Sequence, residues 1–273
     1  MTTPIVRIAA IADLHIRTRD DLSYLRDAFS DLQNVADILL IAGDLTEMGR
    51  LAEMELLAEV LAEVDVPIFV TFGNHDRRGM RRSALKKVLR SVGAIVLEGT
   101  GAIATLPSGH TLGIAGVTGT GGGFGGKNEE VGPGGRFARA LMVKSRRESA
   151  RLRRALRELR DQNPDSMVVM THFSPTASTL QGEPPLKYWM LGNAQLGTTI
   201  DDFDVDLVVH GHAHLGQEFG KTVGSVPVLN VALPVIGGMR ILDLDASGKI
   251  VESQLRPIES LPTATEVRER DIR

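Results

Sequence analysis

Five short segments place Asp, His or Asn directly after apolar runs: Asp13-Leu14-His15, Gly43-Asp44, Gly73-Asn74-His75-Asp76, Thr171-His172 and Gly211-His212-Ala213-His214. Imidazole nitrogens and carboxylate oxygens are ligands for transition metals. Together the segments offer two Asp, one Asn and four His for that purpose, with His75 left over. Each piece alone is commonplace, because Asp-x-His or Gly-Asp is also what a capped turn after a strand looks like. The pair His212 and His214 says more, since alternate residues of an extended chain point the same way and can address one site. In open α/β sheets ligands bind at the carboxyl ends of strands, so five polar strand ends are expected to converge.

The elements that must position them alternate between strand and helix, which predicts parallel βαβ units. Strands are read at Val6 to Ala12, Ile38 to Ala42, Pro67 to Phe72, Met167 to Thr171 and Asp206 to Val209. Helices are read over Asp20 to Ala36, Glu47 to Val64, Arg78 to Val92, Arg136 to Arg160 and Ala194 to Phe203. The stretch from Ala94 to Thr118 reads as two or three short hairpin-like strands, and short strands return from Val226, with Ser247-Gly248 as a turn. One domain is expected over 1–258, with a mobile glycine-rich loop at 119–135 and a loose polar tail at 259–273.

Composition narrows the chemistry. There is no cysteine, which excludes disulfides and thiolate metal sites, so any metal must be held by nitrogen and oxygen. The 31 Lys and Arg against 34 Asp and Glu argue against a globally basic nucleic-acid binder. Met1 to Ile16 lacks a basic segment and its apolar run is cut at Asp13, and no run reaches membrane length. A cytoplasmic location and no membrane partner are expected.

In this order, the five segments resemble the calcineurin-like metallophosphoesterases, whose pattern is Asp-x-His, Gly-Asp, Gly-Asn-His-Asp/Glu, a later His and Gly-His-x-His. The resemblance runs from Asp13 to His214. It implies a four-layer αββα sandwich of two mixed sheets, which the strand pattern alone does not give. It also implies two metal ions, one held by Asp13, His15 and His214, the other by Asn74, His172 and His212, with Asp44 bridging. His75 then falls where the family contacts the phosphate and protonates the leaving oxygen, with Asp76 orienting its ring. Mixed imidazole and carboxylate ligation suits Mn, Fe or Zn. Two cations about 4 Å apart neutralise phosphoryl oxygens and bind the attacking water.

The expected activity is hydrolysis of a phosphodiester (a cyclic nucleotide, a nucleic-acid end or a small diester) by in-line attack of a metal-bound hydroxide. The alternatives are a phosphomonoesterase acting on a small molecule or phosphoprotein, and a non-catalytic metal-binding interaction module. Gly121, Gly123 and Gly126 match a dinucleotide fingerprint, but no helix pattern opens there and no acid lies at the required distance. The helix from Arg136 to Arg160 carries ten Lys or Arg against two Glu and reads as a solvated face around an apolar stripe, or as a nucleic-acid contact. Arg17, Arg19, Arg77 and Arg78 fall near the predicted site mouth. Tyr188-Trp189 reads as packing or base stacking, and His110 and His210 as structural histidines.

Overall fold

The computed structural model describes residues 6–125 and 135–258. Most of the loop expected at 119–135, and all of the tail at 259–273, lie outside the described residues. The strands are β1 (Val6–Ile11), β2 (Ile38–Ala42), β3 (Ile68–Thr71), β4 (Ile95–Val96), β5 (Thr100–Thr105), β6 (Thr111–Val117), β7 (Ser166–Thr171), β8 (Leu207–His210), β9 (Phe219–Lys221), β10 (Pro227–Asn230), β11 (Gly238–Leu244) and β12 (Ile250–Pro257). The helices are α1 (Ser23–Phe29), α2 (Leu51–Leu61), α3 (Arg82–Ser91), α4 (Gly135–Arg160), α5 (Tyr188–Leu191), α6 (Ala194–Asp201) and α7 (Leu233–Ile236).

The strands form two six-stranded mixed sheets, in the orders β12-β11-β1-β2-β3-β4 and β5-β6-β7-β8-β10-β9. Apolar runs such as Ile38-Leu39-Leu40-Ile41-Ala42 are buried on both faces, and the alternation of side chains sorts them between two cores. Ile38, Leu40 and Ala42 join Val6, Ile8, Val168, Met170 and Val209 between the sheets. Leu39 and Ile41 face outward to pack with Leu25, Leu57 and Leu85 of α1, α2 and α3. On the far side Val169 and Val208 pack under Leu152, Leu156 and Ile200 of α4 and α6. Three apolar layers between four layers of structure give the αββα sandwich that the motif resemblance implied.

Three expected helices are shorter than read. The segment Asp20 to Ala36 breaks at Ser30 and at left-handed Asp31, φ 52°. Helix α2 starts only at Leu51, because the buried Glu53 carboxylate accepts the N–H groups of Met48 (2.8 Å) and Arg50 (3.2 Å) and so fixes the helix start. Helix α3 starts at Arg82, after a separate 3-10 turn at His75–Arg77 and left-handed Met80. The remaining elements match their readings within a few residues. Among the described residues no helix is long and apolar enough to cross a membrane.

Strands β1, β2 and β3 run parallel in one sheet, and β7 and β8 run parallel in the other. These five are the strands that end in the five polar segments. Their carboxyl ends open on one edge of the sandwich, where the two sheets meet.

Candidate metal centre

At that edge the chain after each strand turns sharply enough to aim side chains back over the sheet ends. Of the eight described non-glycine residues with left-handed backbone, four are here: Asp13 (φ 60°), His15 (47°), Asp44 (48°) and His212 (72°). Each such residue costs about 1–3 kcal/mol and persists only where its surroundings fix it. The fixing is visible, since the loops after β1 and β2 are joined by Asp13 N–H to Gly43 O and His15 N–H to Asp44 O, both 3.0 Å. Two motif glycines are explained by crowding. A Cβ on Gly73 would collide with the Asp44 carboxylate, and one on Gly211 with that of Asp13.

The side chains converge as expected. Asp13, 2% exposed, accepts from His214 Nε2 through Oδ1 (2.9 Å) and from the His212 N–H through Oδ2 (2.9 Å). Asp44, 1% exposed, sits centrally. Its Oδ2 lies 3.2 Å from His172 Nε2, 3.8 Å from His15 Nε2 and 3.9 Å from His75 Nε2, while Oδ1 accepts the His75 N–H at 2.8 Å. The Asn74 Oδ1 lies 2.9 Å from His172 Nε2. Three groups place one potential ligand atom each within 4.8 Å of one another: Asp13, His15 and His214; Asp44, His172 and His212; and His15, Asp44 and His75. His212 is not on an extended strand as its spacing with His214 suggested. Its left-handed turn, rather than strand alternation, brings the two rings to the site.

The donor set fits a metal ion. His172 directs Nδ1 to the Ala42 carbonyl (3.0 Å), the second bond that fixes a ligand imidazole with Nε2 turned to the site. Both ring nitrogens of His15 are buried and face carboxylates, Nδ1 that of Glu47 at 2.9 Å and Nε2 that of Asp13 at 3.7 Å. The imidazoles and carboxylates lie close enough to shift one another's protonation. Burial opposes charge on His15, but the carboxylates of Asp13, Glu47 and Asp44 push it up to about 10. Burial likewise opposes charge on His172, which Asp44 nevertheless raises to about 9. Burial would raise Asp44, and His172 instead lowers it to about 2. Burial and the neighbouring His172 push His212 down to about 3, leaving a neutral ring.

Asp76 requires a correction. It was expected to orient the His75 ring, but its fully buried carboxylate accepts from Gly73 N–H (2.8 Å), Thr46 N–H (2.9 Å) and Thr46 Oγ1 (2.7 Å). It therefore ties the loop after β3 to the loop after β2. Burial, and the repulsion of Asp44 beside it, push its carboxyl above the ordinary value. The His75 ring is held by Glu47 instead: Nδ1 lies 2.9 Å from the Glu47 carbonyl and 3.3 Å from its carboxylate, which also approaches His15 Nδ1 at 2.9 Å. Arg78 Nη2 lies 2.7 Å from His75 Nε2. Glu47 was read as the first acid of a helix. Its place three residues beyond Asp44, in the polar stretch before Gly49, was the available signal.

The sequence profile described as calcineurin-like phosphoesterase matches residues 6–216. The chain belongs to the calcineurin-like phosphoesterase family. This family is metal-dependent and acts on phosphate esters, which agrees with the clustered ligands. Its fold is shared with solved structures of low identity. The Thermus thermophilus protein TT1561 is 15% identical, with 93% of this chain and 99% of that chain covered and a TM-score of 0.60. The calcineurin-like phosphoesterase YfkN of Bacillus subtilis is 14% identical, covering 98% and 96%, with a TM-score of 0.57. A Staphylococcus aureus protein provisionally assigned as a 5'-nucleotidase is 16% identical, with 97% of this chain but 57% of that chain covered and a TM-score of 0.60. No curated protein sequence matches.

The other singled-out residues lie apart from the ligands. His110 Nε2 bonds Ser166 Oγ (2.7 Å), and buried His210 bonds Thr179 Oγ1 (2.9 Å), so both are satisfied structural histidines. Tyr188 packs beside Leu191 and Ala213, and Trp189 meets Phe137 edge-on at 6.3 Å. Arg19 pairs with Glu59, away from the ligands. Gly123, at φ 80°, makes an isolated bridge to Asn193, and Gly126 lies outside the described residues.

Proposed function

We propose that this phosphoesterase uses two metal ions to hydrolyse a phosphodiester, such as a cyclic nucleotide, a nucleic-acid end or a small diester. The observation that carries the reading is the position of Asp44 Oδ2, between His172 on one side and His15 on the other, so that two ligand groups share one carboxylate. Asp13, His15 and His214 would hold one ion, and Asn74, His172 and His212 the other, with Asp44 common to both. When bound, the pair supplies positive charge to the phosphoryl oxygens and lowers the pKa of a water held there. Mn, Fe and Zn all suit these ligands.

The chain's own residues supply the rest. Glu47 holds His75 Nδ1 through its carbonyl, which leaves Nε2, where Arg78 now rests, to exchange a proton with the leaving oxygen of a bound ester. An alkyl ester needs that proton more than the nitrophenyl esters used as test substrates do, because its leaving group is an alkoxide. The Arg78 guanidinium, beside His75 Nε2 and near the surface, is placed to hold a non-bridging phosphoryl oxygen. Asp76 keeps the His75 backbone in register with Asp44 through Thr46 and Gly73.

The test is hydrolysis of bis-p-nitrophenyl phosphate and p-nitrophenyl phosphate by metal-stripped protein, titrated with manganese, zinc, iron and magnesium. Metal-dependent turnover favouring the diester is expected, and preference for the monoester would make the chain a phosphatase. Two bound metals without turnover of either would make it a binding module. Asp44→Asn is expected to abolish turnover and lower the metal content seen by mass spectrometry. Unchanged bound metal would contradict the shared carboxylate.

A further inference from the structure

Strands β4 and β5 each lie at an edge of their own sheet, and the link between them carries Glu98. Helix α3 packs on β4 and helix α4 on β5, so the two helices flank one seam of the sandwich. Both are basic toward it. Arg82 and Lys86 of α3 pair with Glu98 from one side, and Arg151 of α4 bonds the Glu98 carbonyl from the other. Arg77 approaches Glu148 (3.9 Å), which also holds Arg151 (3.1 Å). Lys144 and Arg90 add charge with no salt-bridge partner among the described residues. Six cations thus surround two carboxylates in a chain whose formal net charge is −3.

The surplus is felt locally. Burial and the neighbouring cations Arg82, Arg90 and Arg151 push Lys86 below the usual lysine range, and burial with Arg77 does the same to Lys144. The Nε atoms of Arg77 and Arg82 are buried without a partner. The seam also leads to the metal centre. Arg77 closes the 3-10 turn that begins at His75, so its Cα lies within about 7.6 Å of that of His75. From Arg82 to Arg90 the row is about 12 Å long, enough to follow a few nucleotides of one strand.

We propose that the seam between α3 and α4 binds the backbone of a single nucleic-acid strand and leads its end into the metal centre. This deepens the diesterase reading and rests on it for the fate of the strand, while the binding itself does not require turnover. Six cations against two carboxylates leave an excess of positive charge that a further anion would balance, and a chain of phosphodiesters supplies such charge along the row.

The experiment is fluorescence-anisotropy titration of the metal-loaded full chain with a short single-stranded DNA carrying phosphorothioate linkages, which resist hydrolysis, over a series of salt concentrations. Binding should weaken with salt with a log–log slope of about −2 to −3, as three or four phosphate contacts require. Arg90→Glu with Lys144→Glu, neither of which has a salt-bridge partner among the described residues, should lose at least tenfold in affinity and flatten the slope, while bis-p-nitrophenyl phosphate hydrolysis is unchanged. If thermal melting shows that this variant is unfolded, Arg90→Ala with Lys144→Ala should show a smaller loss in the same direction. Equal binding by a folded variant overturns the proposal. So does binding of inorganic polyphosphate without DNA, which would make the seam a small-polyanion site. Turnover of the small diester without DNA binding removes the inference and leaves the activity. DNA binding without any turnover does the reverse.

Discussion

His75 and Asp76 are neighbours in sequence with separate tasks. His75 Nε2 faces the ligand cluster while Nδ1 rests on Glu47, so His75→Ala is expected to keep its metals and lose about 10²–10⁴-fold in turnover. Metal analysis beside steady-state rates checks this, and a variant with full rate would remove His75 from the chemistry. Asp76 accepts three short bonds in a fully buried place. Asp76→Ala leaves their donors unpaired and is expected to cost about 3 kcal/mol or more in urea unfolding. The proposed ligand residues were legible in the sequence because they are short polar segments placed directly after apolar strands. Glu47 was not, because a loop glutamate next to a helix start looks like any helix-start acid until the fold brings it to His15 and His75.

The strands were readable because residues buried on both faces leave continuous apolar runs, and each polar segment fell at the end of one. The division into two sheets was not readable from pattern alone, because a run such as Val168 to Met170 looks the same whether its outer neighbour is a helix or a second sheet. Helix starts were misread for a related reason: Glu53 and left-handed Met80 set them through contacts that periodicity does not record. The loops at the strand ends have almost no slack. Gly73→Ala, whose methyl group would press on the Asp44 carboxylate, is expected to weaken metal binding by tenfold or more while leaving the far-ultraviolet circular dichroism unchanged. Isothermal titration with manganese would show it.

At the scale of the whole molecule, the site is a concentration of opposed charge whose worth depends on pH and on metal. In metal-free protein the pKa values of His15 (about 10) and His172 (about 9) stand above the unfolded value of 6.5. Their contribution to stability is full below about pH 6.5 and is lost as pH rises through 9 and 10. His210 and His212, lowered to about 4 and 3, are neutral in the folded state throughout; their unfolded forms lose the last protons just above pH 6.5, which offsets the loss only slightly and only at the acid end of the window. The urea midpoint in EDTA is therefore expected to fall from pH 6.5 to pH 9.5. The metal-loaded protein, in which cations take the place of those protons, should change much less. Equal declines in both would mean that the imidazoles are not where the metal binds.

Strand β1, which leads into Asp13, is paired on one side by β2 and on the other by β11, whose residues come some 230 positions later in the chain. During synthesis on the ribosome, every strand of the first sheet through β4 can form while the other border of β1 stays bare. His212 and His214 have already emerged by the time β11 closes that border, so closure and the completion of the ligand set fall at nearly the same moment. A nascent chain arrested before residue 212 therefore lacks both histidines and still carries a bare β1 edge, so the cell meets this protein either as an unfinished edge or as a finished fold.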